Sequence, residues 1–293
     1  MKKPQLIAII ASISFVAILF YFGKTALPGT NKIIPTQQGS TELTIDTILH
    51  HAKEQLKPEQ VTWLETLEES VIRGDVKNQQ MGVYHQLAHF WKDSAKIFEP
   101  YAWYEAEAAR LELSEKTLTF AAHLILENLR GEDNPQLKKW KALQAKDLFE
   151  RSLKVNDKND STLVGLGACY IFGDITENPM EGIQKILQVV DRDSTNVFAQ
   201  MTLGHGSVIS GQYDKAIDRF EKVNRLQPDN LEALIMLAEV FERKADKVSA
   251  ANWYNKAVLL VKNPELRMEL QNRIKELSER SQRTPSETSI EKK

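Results

Sequence analysis

The sequence predicts an all-α protein: a helical-hairpin superhelix (an alpha-alpha solenoid) with an N-terminal transmembrane helix. Three observations predict it. First, residues 197–264 contain one unit twice, offset by 34 residues. Leu203 pairs with Leu237, Gly204 with Ala238, Ala216 with Ala250, Phe220 with Tyr254 and Val223 with Ala257. Second, the small and apolar residues of each copy fall in two runs of helical spacing, separated in the first copy by Gly211 and Gln212. A helix pair of this size cannot bury its apolar face alone and must stack on a neighbour. Third, a run near the N-terminus, 6–22, carries no charge and is rich in Ile, Ala, Phe and Leu.

In chain order, residues 1–5 carry Lys2 and Lys3 and are expected to stay in the cytoplasm, because flanking lysines favour that side. Residues 6–22 are expected to be the anchor, since about 17 to 20 apolar residues just span a bilayer. The alternatives are a buried helix of the soluble domain and a cleaved signal peptide. The run is long for that, and "YFGKTALPGT" offers no clean small-x-small cleavage site. The folded part would then lie in the periplasm, or otherwise outside the cytoplasm, on a single-pass inner-membrane protein. Residues 23–41, with Pro28, Gly29, Pro35, Gly39 and Ser40, read as a linker.

Residues 42–115 read as irregular helical hairpins. Ile45, Ile48 and Leu49 form one stripe, and Trp63, Leu64, Leu67 and Val71 a second. Pro58 sits near a helix start, Gly74 closes a helix and Asp75 caps the next. A helix over 76–91 follows, then one with Pro100 near its first turn and Ala102, Ala106 and Ala109 at close-approach positions. His85 and His89 share a helical face, but "HQLAH" lacks the Glu of a His-Glu-x-x-His zinc motif, so both read as surface or packing histidines.

Residues 116–264 are expected to hold the repeats, clearest at 160–196, 197–230 and 231–264. A helix over 116–128 and a longer one after Pro135, with Ala145, Phe149 and Ser152, make an irregular copy. In the next copy 176–179 lengthens the turn between the helices. Residues 265–282 carry one apolar stripe, Leu266, Leu270, Ile274 and Leu277, as the capping helix of an open stack requires. The tail, 283–293, has almost no apolar content and predicts disorder.

The segment "VFAQMTLGHGSVISGQYDKAIDRFEKVNRLQPDN" resembles a tetratricopeptide repeat (TPR). Leu203, Gly204, Ala216, Phe220 and Pro228 stand at the family's motif positions, while Ser207 stands where a large aromatic is usual. Leu166, Gly167 and Tyr170 match in the copy before; in the copy after, Lys262 stands where Pro is usual. The resemblance implies a right-handed superhelix whose first helices line a concave groove that holds an extended peptide or a partner's helix. Carried onto this chain, the candidate partner-binding groove is Asn196, Gln200, His205, Asn230, Leu234 and Glu239. Asn196 and Asn230 could each clamp a peptide backbone or simply cap a helix.

Composition narrows the rest. Charged residues are 27% and the formal net charge is -2, without the basic excess of a nucleic-acid binder. The single Cys, Cys169, excludes an internal disulfide and Cys-rich zinc sites, and it reads as a buried small hydrophobe. "GHGSVISG" is a helix in repeat register and no phosphate loop. His205 and Ser207, two apart, do not face each other. No catalytic, cofactor or metal site is expected. The expected function is a non-enzymatic, membrane-anchored scaffold or assembly factor that binds a protein or peptide. Single-span proteins of this layout resemble ancillary secretion or assembly factors. A periplasmic chaperone-like or translocon-associated factor, a homodimer-forming module and an enzyme with an unrecognised site are the alternatives. Exposure of Trp91, Tyr101, Trp103 or Tyr104 would favour self-association.

Overall fold

Short polar side chains fix where the helices begin. In the computed structural model, which describes residues 43–73 and 77–282, eight helices open on a residue whose side chain accepts a backbone N–H of the first turn: Thr44, Ser114, Asn134, Asn159, Asn196, Asn230, Asp246 and Asn263. Proline opens three helices, where its missing N–H leaves nothing unsatisfied. The expected cytoplasmic N-terminus 1–5, anchor 6–22, linker 23–41 and tail 283–293 lie outside the described residues, as do Gly74 and Asp75. Among the described residues no helix is long and apolar enough to cross a membrane.

The described helices are α1 (Ile45–Lys53), α2 (Pro58–Arg73), α3 (Lys77–His89), α4 (Phe98–Glu112), α5 (Glu115–Leu129), α6 (Pro135–Val155), α7 (Asp160–Phe172), α8 (Met180–Arg192), α9 (Val197–Ile209), α10 (Tyr213–Leu226), α11 (Leu231–Arg243), α12 (Lys247–Leu260) and α13 (Pro264–Gln282). They pack as successive hairpins: α3 on α4, α5 on α6, α7 on α8, α9 on α10 and α11 on α12, with α13 closing against α12. Each second helix of a repeat also packs on the first helix of the next, α6 on α7 and α10 on α11. The chain is thus an all-α helical-repeat solenoid.

The 34-residue register is visible in the packing. Leu203, Phe220, Leu237 and Tyr254 are all buried between hairpins. Gly204 lets α9 meet α10 closely: a Cβ there would stand 2.5 Å from the Phe220 ring. Gly167 does the same for α7 and α8, where a Cβ would lie 2.4 Å from Ile186 and 2.6 Å from the carbonyl oxygen of Gly182. The apolar clusters share helices from one to the next, from α1 to α13, so the core is a continuous seam.

Two features depart from the periodicity. Where one helix was expected over 76–91, α3 ends at His89 and passes into a π-helical turn, Phe90–Ala95. The wider turn carries two successive aromatics, Phe90 and Trp91, into one core, although an α-helix would set them about 100° apart. The second departure is a buried charge. Lys141, 2% exposed, reaches Glu99 Oε1 at 2.9 Å and pairs with Glu132, with the Phe98 ring 5.5 Å away. It ties α4 and the connection after α5 to α6. The aromatics that would have favoured self-association are not exposed: Trp91 and Tyr104 are buried and Tyr101 and Trp103 half-buried.

Candidate partner-binding groove

The first helices of the four repeats, α5, α7, α9 and α11, lie side by side. Arg130 caps the end of α5 and Glu232 lies in the first turn of α11. They form an ion pair. A contact between the first and the fourth repeat requires the row of first helices to curl inward, so this face is concave. Within the curl lies a cleft of about 600 Å³, lined by Arg130, Phe172, His205, Ile209, Met236 and Arg243 among others.

The charges are mixed and locally matched. Glu232 Oε1 lies 3.0 Å from His205 Nε2, and Arg130 lies 2.7 Å from the same nitrogen. Nε2 serves one of them at a time. Protonated there, the ring donates to Glu232; unprotonated there, it accepts from Arg130, which keeps its own bond to Glu232. The hydrogen bond from His205 holds the Glu232 carboxyl down to about 2, with burial opposing and Arg130 assisting. The Arg130 guanidinium also lies 5.7 Å from the Phe172 ring centroid, a cation–π distance. Further along, burial raises Glu239 above the usual carboxylate range, with Arg243 and His205 opposing.

The structure separates the residues that the sequence grouped together. Asn196 and Asn230 spend their side-chain oxygens as caps, each accepting from a backbone N–H at 2.9 Å, of Ala199 and Ala233. The capping alternative describes them. Gln200 and Leu234 are buried between helices, 0% and 2% exposed, so neither offers a surface to a ligand in the groove. This corrects their placement. Both stand at the same repeat position, one that faces the second helix. His205 and Glu239 also share a repeat position and stand, half-buried, at the inner face.

Arg130, Phe172, Ile209, Glu232, Met236 and Arg243 were missed. Part of the signal was available. Ile209 and Arg243 are 34 apart, and both line the cleft at the ends of first helices. Among the described residues, no group of three or more His, Cys, Asp or Glu could hold a metal ion. His85 Nδ1 lies 3.6 Å from Glu105 and His89 Nδ1 3.4 Å from Asp93, so each faces its own carboxylate. Cys169 is buried, and burial pushes its thiol well up, as an inert core thiol requires.

Neither a protein-family model nor a curated protein matches the chain. Several solved structures are similar to it. MamA is 15% identical over 61% of this chain and 91% of its own, with a TM-score of 0.43. YrrB, described as a TPR protein with an unusual peptide-binding site, is 16% identical over 65% of this chain and 91% of its own, with a TM-score of 0.41. PilF of Pseudomonas aeruginosa is 15% identical over 70% of this chain and 87% of its own, with a TM-score of 0.46. At those identities and scores the repeat architecture stands on the packing of this chain's own helices.

Proposed function

We propose that this protein is a membrane-anchored, non-enzymatic scaffold or assembly factor that holds a peptide or a segment of a partner protein in the groove of its first helices. The observation that carries the reading is the inward curl measured by Arg130 and Glu232, with about 600 Å³ of cleft beneath it. Apolar surface from Phe172, Ile209 and Met236 would take side chains, and Arg130, Arg243 and Glu239 would meet polar groups. The anchor is 6–22. It would place the repeats in the periplasm or otherwise outside the cytoplasm, in the position of an ancillary secretion, chaperone-like or translocon-associated factor.

A photo-crosslinking residue placed at Ile209 or Met236 in intact cells tests the groove. Adducts with one partner from both positions, and none from the outward Leu259, are expected. Adducts from all three positions alike, or none from the groove, would overturn the reading. Adducts only with the chain itself would turn it into a homo-oligomerisation module. Protease protection of the repeats in intact cells, and carbonate-resistant membrane association lost on deletion of 6–22, test the anchor.

A further inference from the structure

A second cleft lies away from the inner face, between α8 and α10. It encloses about 490 Å³, and α9 is its floor. The repeat register explains why it is there. The position that holds Tyr170 in the preceding repeat and Phe241 in the following one is Ser207 here, and Gly206 stands where the next copy has Val240. The missing ring is replaced by space. One wall is apolar, from Ile183 and Leu187 of α8 with Ile171 at the edge.

The opposite wall is a cationic stripe on α10. Lys215, Arg219 and Lys222 recur at helical spacing, with one carboxylate, Asp218, in the same wall. Among the described residues none of these three cations has a carboxylate within ion-pair distance. Arg219 is held in place from below. Gln200, fully buried, accepts from its guanidinium at 2.7 Å and donates to the Ser194 carbonyl at 2.8 Å. The stripe is not required by the repeat, because the matching positions of α12 are Ser249, Trp253 and Lys256.

From this geometry we propose a second docking site, between α8 and α10, for an acidic amphipathic helix of a partner protein. A large side chain of that helix, aromatic or leucine, fills the space above Ser207. Its carboxylates meet Lys215, Arg219 and Lys222, with the long-range attraction and salt sensitivity such pairing brings. The site is separate from the first-helix groove, so one chain can hold two segments at once.

The probe is a fluorescein-labelled synthetic helix with Phe and Leu on one face and Glu on the other, read by anisotropy on the soluble repeats attached to their native anchor in detergent. Its counterpart carries Lys for Glu. The acidic helix should bind at least about tenfold more tightly than the basic one. Ser207→Phe restores the ring that Phe241 supplies in the next copy, so it should keep the fold and lower binding by about tenfold or more. The Lys215→Glu/Lys222→Glu double variant, with Lys215 exposed and Lys222 half-buried at the cleft wall, should do the same and should favour the basic helix. Leu259→Ala, on the outward surface and in neither cleft, should leave binding unchanged. Equal affinity for both helices, or full binding by both Ser207→Phe and the double variant, would overturn the proposal. So would hydrogen-exchange protection on the inner face of α9 and α11 in place of α8 and α10.

Discussion

Arg130 and Glu232, 102 positions apart in the chain, form an ion pair that joins the first repeat to the fourth across the inner face. Glu232 is held to about 2, first by the His205 hydrogen bond, against burial and with help from Arg130. Its folded value lies below its unfolded one. The carboxylate therefore stabilises the fold above the unfolded value, and that contribution is lost as pH falls between 4.5 and about 2. Both side chains are substantially exposed, so screening limits the pair to less than about 1 kcal/mol. Glu232→Gln should lower the urea midpoint slightly at neutral pH, and the difference from the unaltered chain should vanish as pH approaches 2. A difference independent of pH would show that the latch is not electrostatic.

Lys141 should have a much larger effect. It is buried and pairs with both Glu99 and Glu132, and both carboxylates are largely covered. Burial opposes the ionised form of Glu132, yet the Lys141 hydrogen bond and the backbone N–H of Asn134 hold it below the usual range. Removing the cation leaves two carboxylates facing one another and a cavity. Lys141→Ala should cost about 3 to 5 kcal/mol. α4 then keeps the Arg110 contacts to Asp147 and Gln144 but loses its buried ionic tie to α6, so hydrogen exchange in α4 should also rise. Lys141→Met fills the space and should cost less. A single unshifted transition for Lys141→Ala would refute the role of this joint.

How much of this was legible depended on how local the cause was. The register identified Leu203, Phe220, Leu237 and Tyr254 as core because burial between stacked hairpins follows from a 34-residue spacing. The same register, read at 209 and 243, would have pointed to the groove. It misassigned Gln200 and Leu234 because a first helix in a solenoid buries more than one face, and a face toward the second helix looks the same in sequence as one toward a ligand. Arg130 with Glu232 could not be read at all. Their meeting depends on small rotations summed over three hairpins. The π-helical turn at Phe90 breaks the period that sequence reading assumes.

The turn between paired helices offers a test at two matched positions. Gly211 has φ 72 and Ala245, 34 residues on, has φ 61. The left-handed region costs an L-residue roughly 1 kcal/mol or more, and glycine almost nothing. Gly211→Ala should therefore destabilise by about 1 kcal/mol. Ala245→Gly should stabilise by up to about 1 kcal/mol, less the extra entropy that glycine gives the unfolded chain. Chemical denaturation of the pair decides it. If both substitutions moved the midpoint in the same direction, the turns would not share their geometry.

Gln200 and Leu234 hold the same repeat position, and the exchange between them isolates a polar group in a core. Gln200 makes two hydrogen bonds, to Ser194 and Arg219, which offset its desolvation. Leucine is similar in volume and already fits at 234, where it is buried in the α11–α13 cluster. Gln200→Leu should therefore change stability by less than about 1.5 kcal/mol. Both substitutions leave the Ser194 carbonyl without its donor, but Gln200→Ala also opens a cavity, so it should cost about 2 to 4 kcal/mol. Leucine at 200 also frees the Arg219 guanidinium, so an Arg219→Ala substitution added to it should cost nothing further. A double-mutant cycle measures this coupling. Additive losses from the two substitutions would mean that Gln200 is held by its packing and not by the guanidinium above it.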